Sequence, residues 1–402
     1  MTLLQGGAPN ISGRLLIVLP QPFLEDRGTS IATHHLLRAY TSLGYEVDVM
    51  CFAPGRDPAV PGTRIIRSPN PFGFQHVPIG LSLRKAILDL FLVGAVRRQL
   101  RREIYVCVHA VEEAAFIAAL VGRGRGVPLI YDMASSLPEH LLQYRFFRNR
   151  LSQRVLRLLE RRLLTRVDLV VCSAGLESEV LSAAPDTPLA VWLFPTELEP
   201  PSEEAVAGLR EKLGIEATAH VVLYLGSFAK YQGLSVLLDA IPNVLTRVPE
   251  ARFVIVGASS EKEFASVRES IPGRFVNNVR ILRRIPRSKT PLYLALADVL
   301  VSLRIQGSNL PLKVFDYMIC GKPIVATNVP AHRLLRHGGL AVLADPTGER
   351  FAHAIIRVLS SEKLAEELGV RARAYAESQL GWTSFVKSVE EMTKRARPAS
   401  AE

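Results

Sequence analysis

Two series of alternating strand-like and helix-like segments, separated by a proline- and acid-rich stretch, restrict this chain more than any other feature. In the first half, apolar runs rich in β-formers occur at 15–19, 47–52, 104–109, 128–131, 169–172 and 190–194. Helical periodicity lies between them at 31–43, 83–101, 113–121 and in one long stretch from about 141 to 166. A second series at 221–225, 253–256, 279–282, 299–302, 324–326 and 341–343 carries helical patterns at 234–248 and 351–359. Strands that are apolar on both faces and alternate with helices predict parallel sheets covered on both sides. The stretch 194–204 holds Pro195, Pro200 and Pro201 among four glutamates, the composition of a linker. A length of 402 residues exceeds what one hydrophobic core usually serves. The predicted class is therefore α/β, with one domain over 1–195 and a second over 196–382. In such sheets ligands collect at the carboxyl ends of the strands.

Charge and cysteine usage narrow the partners. A formal net charge of +11 asks for something anionic. The chain shows no helix-turn-helix pattern, no zinc-finger spacing and no aromatic-basic strand motif, so nucleic acid is not the expected partner. Cys51, Cys107, Cys172 and Cys320 have no paired spacing and read as buried small hydrophobes. The chain contains no Asp-x-Asp pair and no metal-ligand spacing, so no metal and no bound cofactor is expected. No uncharged apolar run reaches the ~20 residues of a membrane span, and residues 1–13 lack the features of a signal peptide. These observations predict a cytoplasmic, non-spanning protein. The segment 145–166 carries eight arginines against Glu160 alone, with Arg150, Arg154, Arg157 and Arg161 at helical spacing. Two readings stand: a peripheral contact with the anionic inner face of a membrane, or an ordinary solvated helix face.

The chemistry concentrates in 304–327. A strand at 297–303 leads into a polar loop, Gln306 to Asn309, then a helix with Pro311 in its first turn. Gly321 and Pro323 end that helix before the next strand. A helix start delivered at the carboxyl end of a strand favours phosphate, and Lys313 adds a full positive charge there. Asp316, mid-helix, has mediocre helix propensity and no cap to make, which suits a ligand role as well as a solvated one. Near the amino end, Gly28, Thr29 and Ser30 follow the first strand and precede a helix from about Ile31. Gly28 allows close backbone approach, and Thr29 or Ser30 is placed to cap the helix and donate to phosphate or sugar oxygens. Neither G-x-G-x-x-G nor the P-loop pattern is present.

The segments 15–30, 225–234 and 304–327, in that order, resemble the three landmarks of family-4 retaining glycosyltransferases of the GT-B fold. The resemblance spans nearly the whole chain. It implies two Rossmann-like domains facing a cleft, with a last helix, 383–402, packing back on the first. It implies a nucleoside-diphosphate sugar as donor and a hydroxyl as acceptor, lipid-linked or polysaccharide acceptors among them, with retention and without metal. Carried over residue by residue, donor contacts fall on Gly28, Thr29, Gly226, Ser227, Lys230, Gln232, Ser308, Asn309, Leu310, Lys313 and Asp316. Asp316 would hold the ribose. Ser227 and Gln232 stand where the family has Arg and Lys, and Ser308 and Asp316 stand where it has two Glu. Lys230 and Lys313 are the compensating charges.

On the acceptor side His109, at the end of a strand, and Asp132, at the end of the next, join Lys313 as catalytic residues. A structural role for His109 is equally open, and the donor's own phosphate oxygen is an alternative base. The expected function is sugar transfer. The alternatives are a nucleotide-sugar-binding protein without turnover and a nucleotide-sugar epimerase or hydrolase on the same fold.

Overall fold

The computed structural model describes residues 13–23, 28–78, 80, 82–122, 124–142, 144, 147 and 149–396. The chain divides into two compact units. One runs through Phe194 and resumes at Trp382; the other is Pro195–Gly381.

The first unit holds seven strands: β1 (Arg14–Leu19), β2 (Glu46–Cys51), β3 (Thr63–Arg67), β4 (Cys107–Val111), β5 (Leu129–Met133), β6 (Leu169–Ser173) and β7 (Leu189–Trp192). Their order is β3-β2-β1-β4-β5-β6-β7 and every pairing is parallel, with Ile17 opposite Val49 on one side and His109 on the other. The second unit holds β8 (His220–Leu225), β9 (Ala251–Ala258), β10 (Val279–Arg283), β11 (Val299–Ser302), β12 (Ile324–Thr327) and β13 (Val342–Ala344), ordered β10-β9-β8-β11-β12-β13 and again all parallel. Both sheets thus reverse direction of growth once, between β1 and β4 and between β8 and β11. Those are the points where an open parallel sheet leaves a crevice at its carboxyl edge.

The apolar runs became strands because burial on both faces rewards unbroken Leu, Val and Ile. Leu15–Leu19 and Val221–Tyr224 are essentially inaccessible to solvent. Two expectations need correction. Strand β3 was not foreseen: it is an edge strand, so Arg64 and Arg67 keep it polar in sequence, and Arg64 grips buried Asp48 at 2.9 Å. The long helix expected over 141–166 is two, Leu137–Leu142 and Arg150–Leu164. Asn149 starts the second by accepting the Ser152 N–H at 2.8 Å, a cap that an apolar-periodicity reading passes over. The final helix, Trp382–Ala396, belongs to the first unit, where the Phe385 ring packs at a tilt against Trp192 and Phe194.

Candidate functional site

At the switch point of the second sheet, the backbone leaving β8 turns at Gly226, while the loop leaving β11 carries Arg304 and returns as the helix Lys313–Ile319. A Cβ at position 226 would fall 2.9 Å from Lys313 Nζ, so glycine leaves room there for the ammonium group. That nitrogen is buried and has no hydrogen-bond partner among the described residues. It lies 4.3 Å from the centroid of the Tyr224 ring, a cation–π contact, and the Tyr224 hydroxyl donates to the Ser227 carbonyl at 2.7 Å. Burial pushes the Lys313 amine down to about 7, and the nearby Arg304 charge pushes the same way. An unpaired buried cation beside a second cation is unfavourable unless an anion joins them.

Arg304 is held in place by its own loop. Its Nε donates to the Gln306 carbonyl at 2.8 Å and its Nη2 to Asn309 Oδ1 at 2.5 Å, and its guanidinium stands 5.3 Å from the Tyr231 centroid. Behind it, at the ends of β11 and β12, buried His332 faces the Thr327 carbonyl through Nδ1 at 2.8 Å and Ser302 Oγ through Nε2 at 2.8 Å. A carbonyl only accepts, so Nδ1 carries the proton and Ser302 donates to Nε2. Burial, with Lys313 and Arg304 adding to it, lowers the His332 pKa to about 4, so the ring is neutral at ordinary pH.

The residues expected to hold donor divide. Gly226 and Lys313 meet. Asn309 reaches the site through Arg304. Ser308 and Leu310 are buried in the loop, and Lys230 is exposed. Gln232 has a buried Oε1 without a partner among the described residues. Asp316 has a different task from the expected ribose contact. The Arg287 guanidinium forks onto both of its oxygens, with Nη2 at 2.7 Å from Oδ1, and Thr196 Oγ1 donates to Oδ1 at 2.7 Å. This carboxylate is an ion-pair partner that ties the start of the second unit to the helix Lys313–Ile319. Arg287→Ala strands a buried charge and is expected to lower stability by about 2–3 kcal/mol in urea unfolding, whereas Asp316→Asn should lose less.

In the first unit the catalytic assignment of His109 and Asp132 is corrected. His109 sits mid-strand in β4, 1% exposed, rather than at its end. Its Nδ1 lies 3.0 Å from the Tyr40 hydroxyl and its Nε2 3.4 Å from Asp132 Oδ2, while Trp192 Nε1 donates to Asp132 Oδ1 at 3.1 Å. The four side chains satisfy one another inside the core, where no substrate reaches them. Gly28 and Thr29 already lie in the first turn of the helix Gly28–Ser42, so Thr29 is not a cap, and its carbonyl accepts from Thr33 Oγ1 at 2.8 Å.

Sequence reasoning missed the group that stands at this sheet's switch point, Glu112. It follows β4 with φ of 52°, a left-handed conformation rare outside glycine. Ser135 Oγ donates to its carboxylate at 3.1 Å, and Lys85 on the helix Leu83–Arg102 adds a positive charge nearby. Burial nevertheless raises its pKa to about 7, with Asp132 adding to the shift. No local pattern announces a positive φ at a Glu-Glu pair, nor links Arg287 or His332 to helix 313–319. Arg304 lay inside the phosphate-like segment, and its charge was the one available signal.

Residues 27–185 match the family model described as glycosyl transferase 4-like domain, and residues 219–361 match that of glycosyl transferases group 1. Over 190 residues the chain is 27% identical to a phosphatidyl-myo-inositol mannosyltransferase of Mycobacterium leprae, a match covering 46% of this chain and 49% of that protein. The chain thus spans about half the length of the curated relatives it matches. Among solved structures, sucrose-phosphate synthase from Thermosynechococcus elongatus superposes with a TM-score of 0.77 at 18% identity, over 95% of this chain and 98% of that one. HepE from Anabaena, solved in complex with UDP-glucose, gives 0.72 at 19% identity, over 95% and 99%. At these identities the likeness speaks for the fold alone. With both halves matched to glycosyltransferase models and the doubly wound sheets found in each, the chain belongs to the group 1, family-4-like glycosyltransferases of the GT-B fold.

Proposed function

We propose that the protein transfers a sugar from a nucleoside-diphosphate sugar to a hydroxyl acceptor, with retention at the anomeric carbon and without a metal ion. The observation that carries this reading is the buried ammonium of Lys313 at the β8/β11 switch point, which has no hydrogen-bond partner among the described residues and feels the charge of nearby Arg304. In this reading the diphosphate lies at the carboxyl ends of β8 and β11, and Lys313 and Arg304 neutralise the charge that grows as it departs. The bond between the anomeric carbon and the phosphate oxygen breaks, a bond from that carbon to the acceptor oxygen forms on the same face, and the hydroxyl proton passes to the departing phosphate. These two cations take the part that a divalent ion plays elsewhere, so chelator should leave turnover unchanged.

Glu112 is the acceptor-side group in this proposal. Ionised, it accepts a hydrogen bond from a second polar group of the acceptor and holds the acceptor in place, leaving the proton of the reacting hydroxyl to the departing phosphate. At saturating donor, turnover is then expected to rise as pH passes upward through about 7, where the carboxyl ionises. Glu112→Gln should flatten that limb and lower kcat while leaving donor KM nearly unchanged; a steep limb retained in the variant would remove Glu112 from the mechanism.

A second reading, nucleotide-sugar binding without turnover, draws on the uncharged Ser227 and Gln232 and on the engagement of Asp316 by Arg287. Incubation with UDP-, GDP- and ADP-sugars and a panel of hydroxyl acceptors separates the two. Acceptor-dependent release of nucleoside diphosphate supports transfer, binding with no release supports the second reading, and release without acceptor indicates a hydrolase.

A further inference from the structure

The helix Arg150–Leu164 turns an apolar stripe outward. Leu151, Val155, Leu158 and Leu159 are 73, 46, 50 and 42% exposed, and their spacing of four, three and one places them on one side of the helix. The inward side is complete without them, being made of Leu156, Leu163 and Leu164. Roughly a third of a turn from the stripe runs the exposed row Arg150, Arg154, Arg157 and Arg161, and Arg162 ends the apolar stripe itself, one turn beyond Leu158. The helix's one acid, Glu160, points inward, where it accepts from Ser136 Oγ at 3.2 Å and the Leu137 N–H at 3.0 Å. Like charges three and four residues apart destabilise a helix, and exposed leucines gain nothing from folding, so neither feature is explained by the stability of the unit.

We propose that this helix docks the protein on an anionic lipid bilayer, lying in the interface with its apolar stripe among the acyl chains and its arginine row among the headgroup phosphates. The charge decides between occupants. A second copy would bring one arginine row close to another. Nucleic acid would engage the arginines and leave the leucines and valine in water. A bilayer with anionic headgroups matches both halves of the surface. No helix among the described residues is long and apolar enough to cross a membrane, so the contact is one of lying on the surface. This goes beyond the proposed reaction and does not depend on it.

The test is co-sedimentation of the full chain with vesicles of phosphatidylglycerol and phosphatidylcholine, against vesicles of phosphatidylcholine alone. Binding is expected on the anionic vesicles and at least tenfold weaker on the neutral ones. Arg154→Gln with Arg157→Gln should weaken it about 30-fold at low salt. Leu151→Gln with Leu158→Gln should weaken it at least tenfold at every salt concentration, while thermal unfolding of both variants stays within a few degrees of the parent. Equal binding by parent and both variants would overturn the proposal. So would a dimer in sedimentation that the leucine variant dissolves, or tight binding to duplex DNA lost only with the arginines and unaccompanied by vesicle binding.

Discussion

Replacing Lys313 with methionine is expected to weaken nucleoside-diphosphate binding by about ten- to a hundredfold, the loss of one charge-assisted contact worth about 1.5–3 kcal/mol. Methionine keeps the length and the contact with Tyr224, so the loss reports charge rather than packing. The pH dependence is the sharper part. The free amine titrates at about 7 because it is buried and has Arg304 for a neighbour. An anion seated against it favours the charged form and raises that value. Above pH 7 binding must therefore take up a proton, and affinity should fall as pH rises; well below 7 it should be flat. Stability runs the opposite way. Between about 7 and the ordinary lysine value of 10.5 the unfolded chain holds the proton that the folded chain has lost, so stability without ligand rises with pH across that window. Lys313→Met should abolish both trends and unfold at a higher temperature than the parent at pH 6. Unfolding followed at pH 6, 8 and 9.5 checks this; parallel pH curves for parent and variant would mean that the amine is not the titrating group.

The second large effect concerns Gly233, which closes the loop after β8. Its φ is 71°, and a Cβ there would fall 2.1 Å from the Leu303 carbonyl oxygen, backbone against backbone. Gly233→Ala should therefore destabilise the second unit by about 3 kcal/mol, from the left-handed penalty and the forced separation of the 230s loop from β11. Since the Ile305 N–H donates to the Tyr231 carbonyl at 3.1 Å across the same seam, the variant should also loosen Arg304 and with it the proposed anion site. Gly94→Ala serves as the control. It lies within a helix with open space around it, and alanine there should raise stability by up to about 1 kcal/mol. Urea midpoints of the two variants should move in opposite directions.

What the sequence disclosed follows from where the information is local. Unbroken apolar runs identify strands buried on both faces, and nearly all of the parallel strands lie where such runs occur. The loop from Arg304 to Lys313 was legible because glycine, proline and lysine each have one-residue reasons to stand there. The edge strand Thr63–Arg67 was hidden because its exposure lets arginines in. His109 and Asp132 were misplaced because a polar residue in an apolar run looks the same whether it faces a ligand or, as here, Tyr40 and Trp192. The Arg287–Asp316 pair joins residues 29 apart in sequence, and the Lys313–Gly226 approach joins residues farther apart still. Periodicity carries no record of such meetings, which depend on strand order. Glu112 is the extreme case, since its interest lies in a backbone angle.

The measurement that tests the central claim most directly is calorimetric titration of UDP, GDP and ADP into the protein at pH 8, in two buffers of different ionisation enthalpy, with Lys313→Met alongside. The account predicts that one of the three binds without magnesium, that the apparent enthalpy differs between buffers by close to one proton taken up, and that the variant binds weakly with no such difference. Binding that is equally tight in the variant, or that releases rather than takes up a proton, would contradict it.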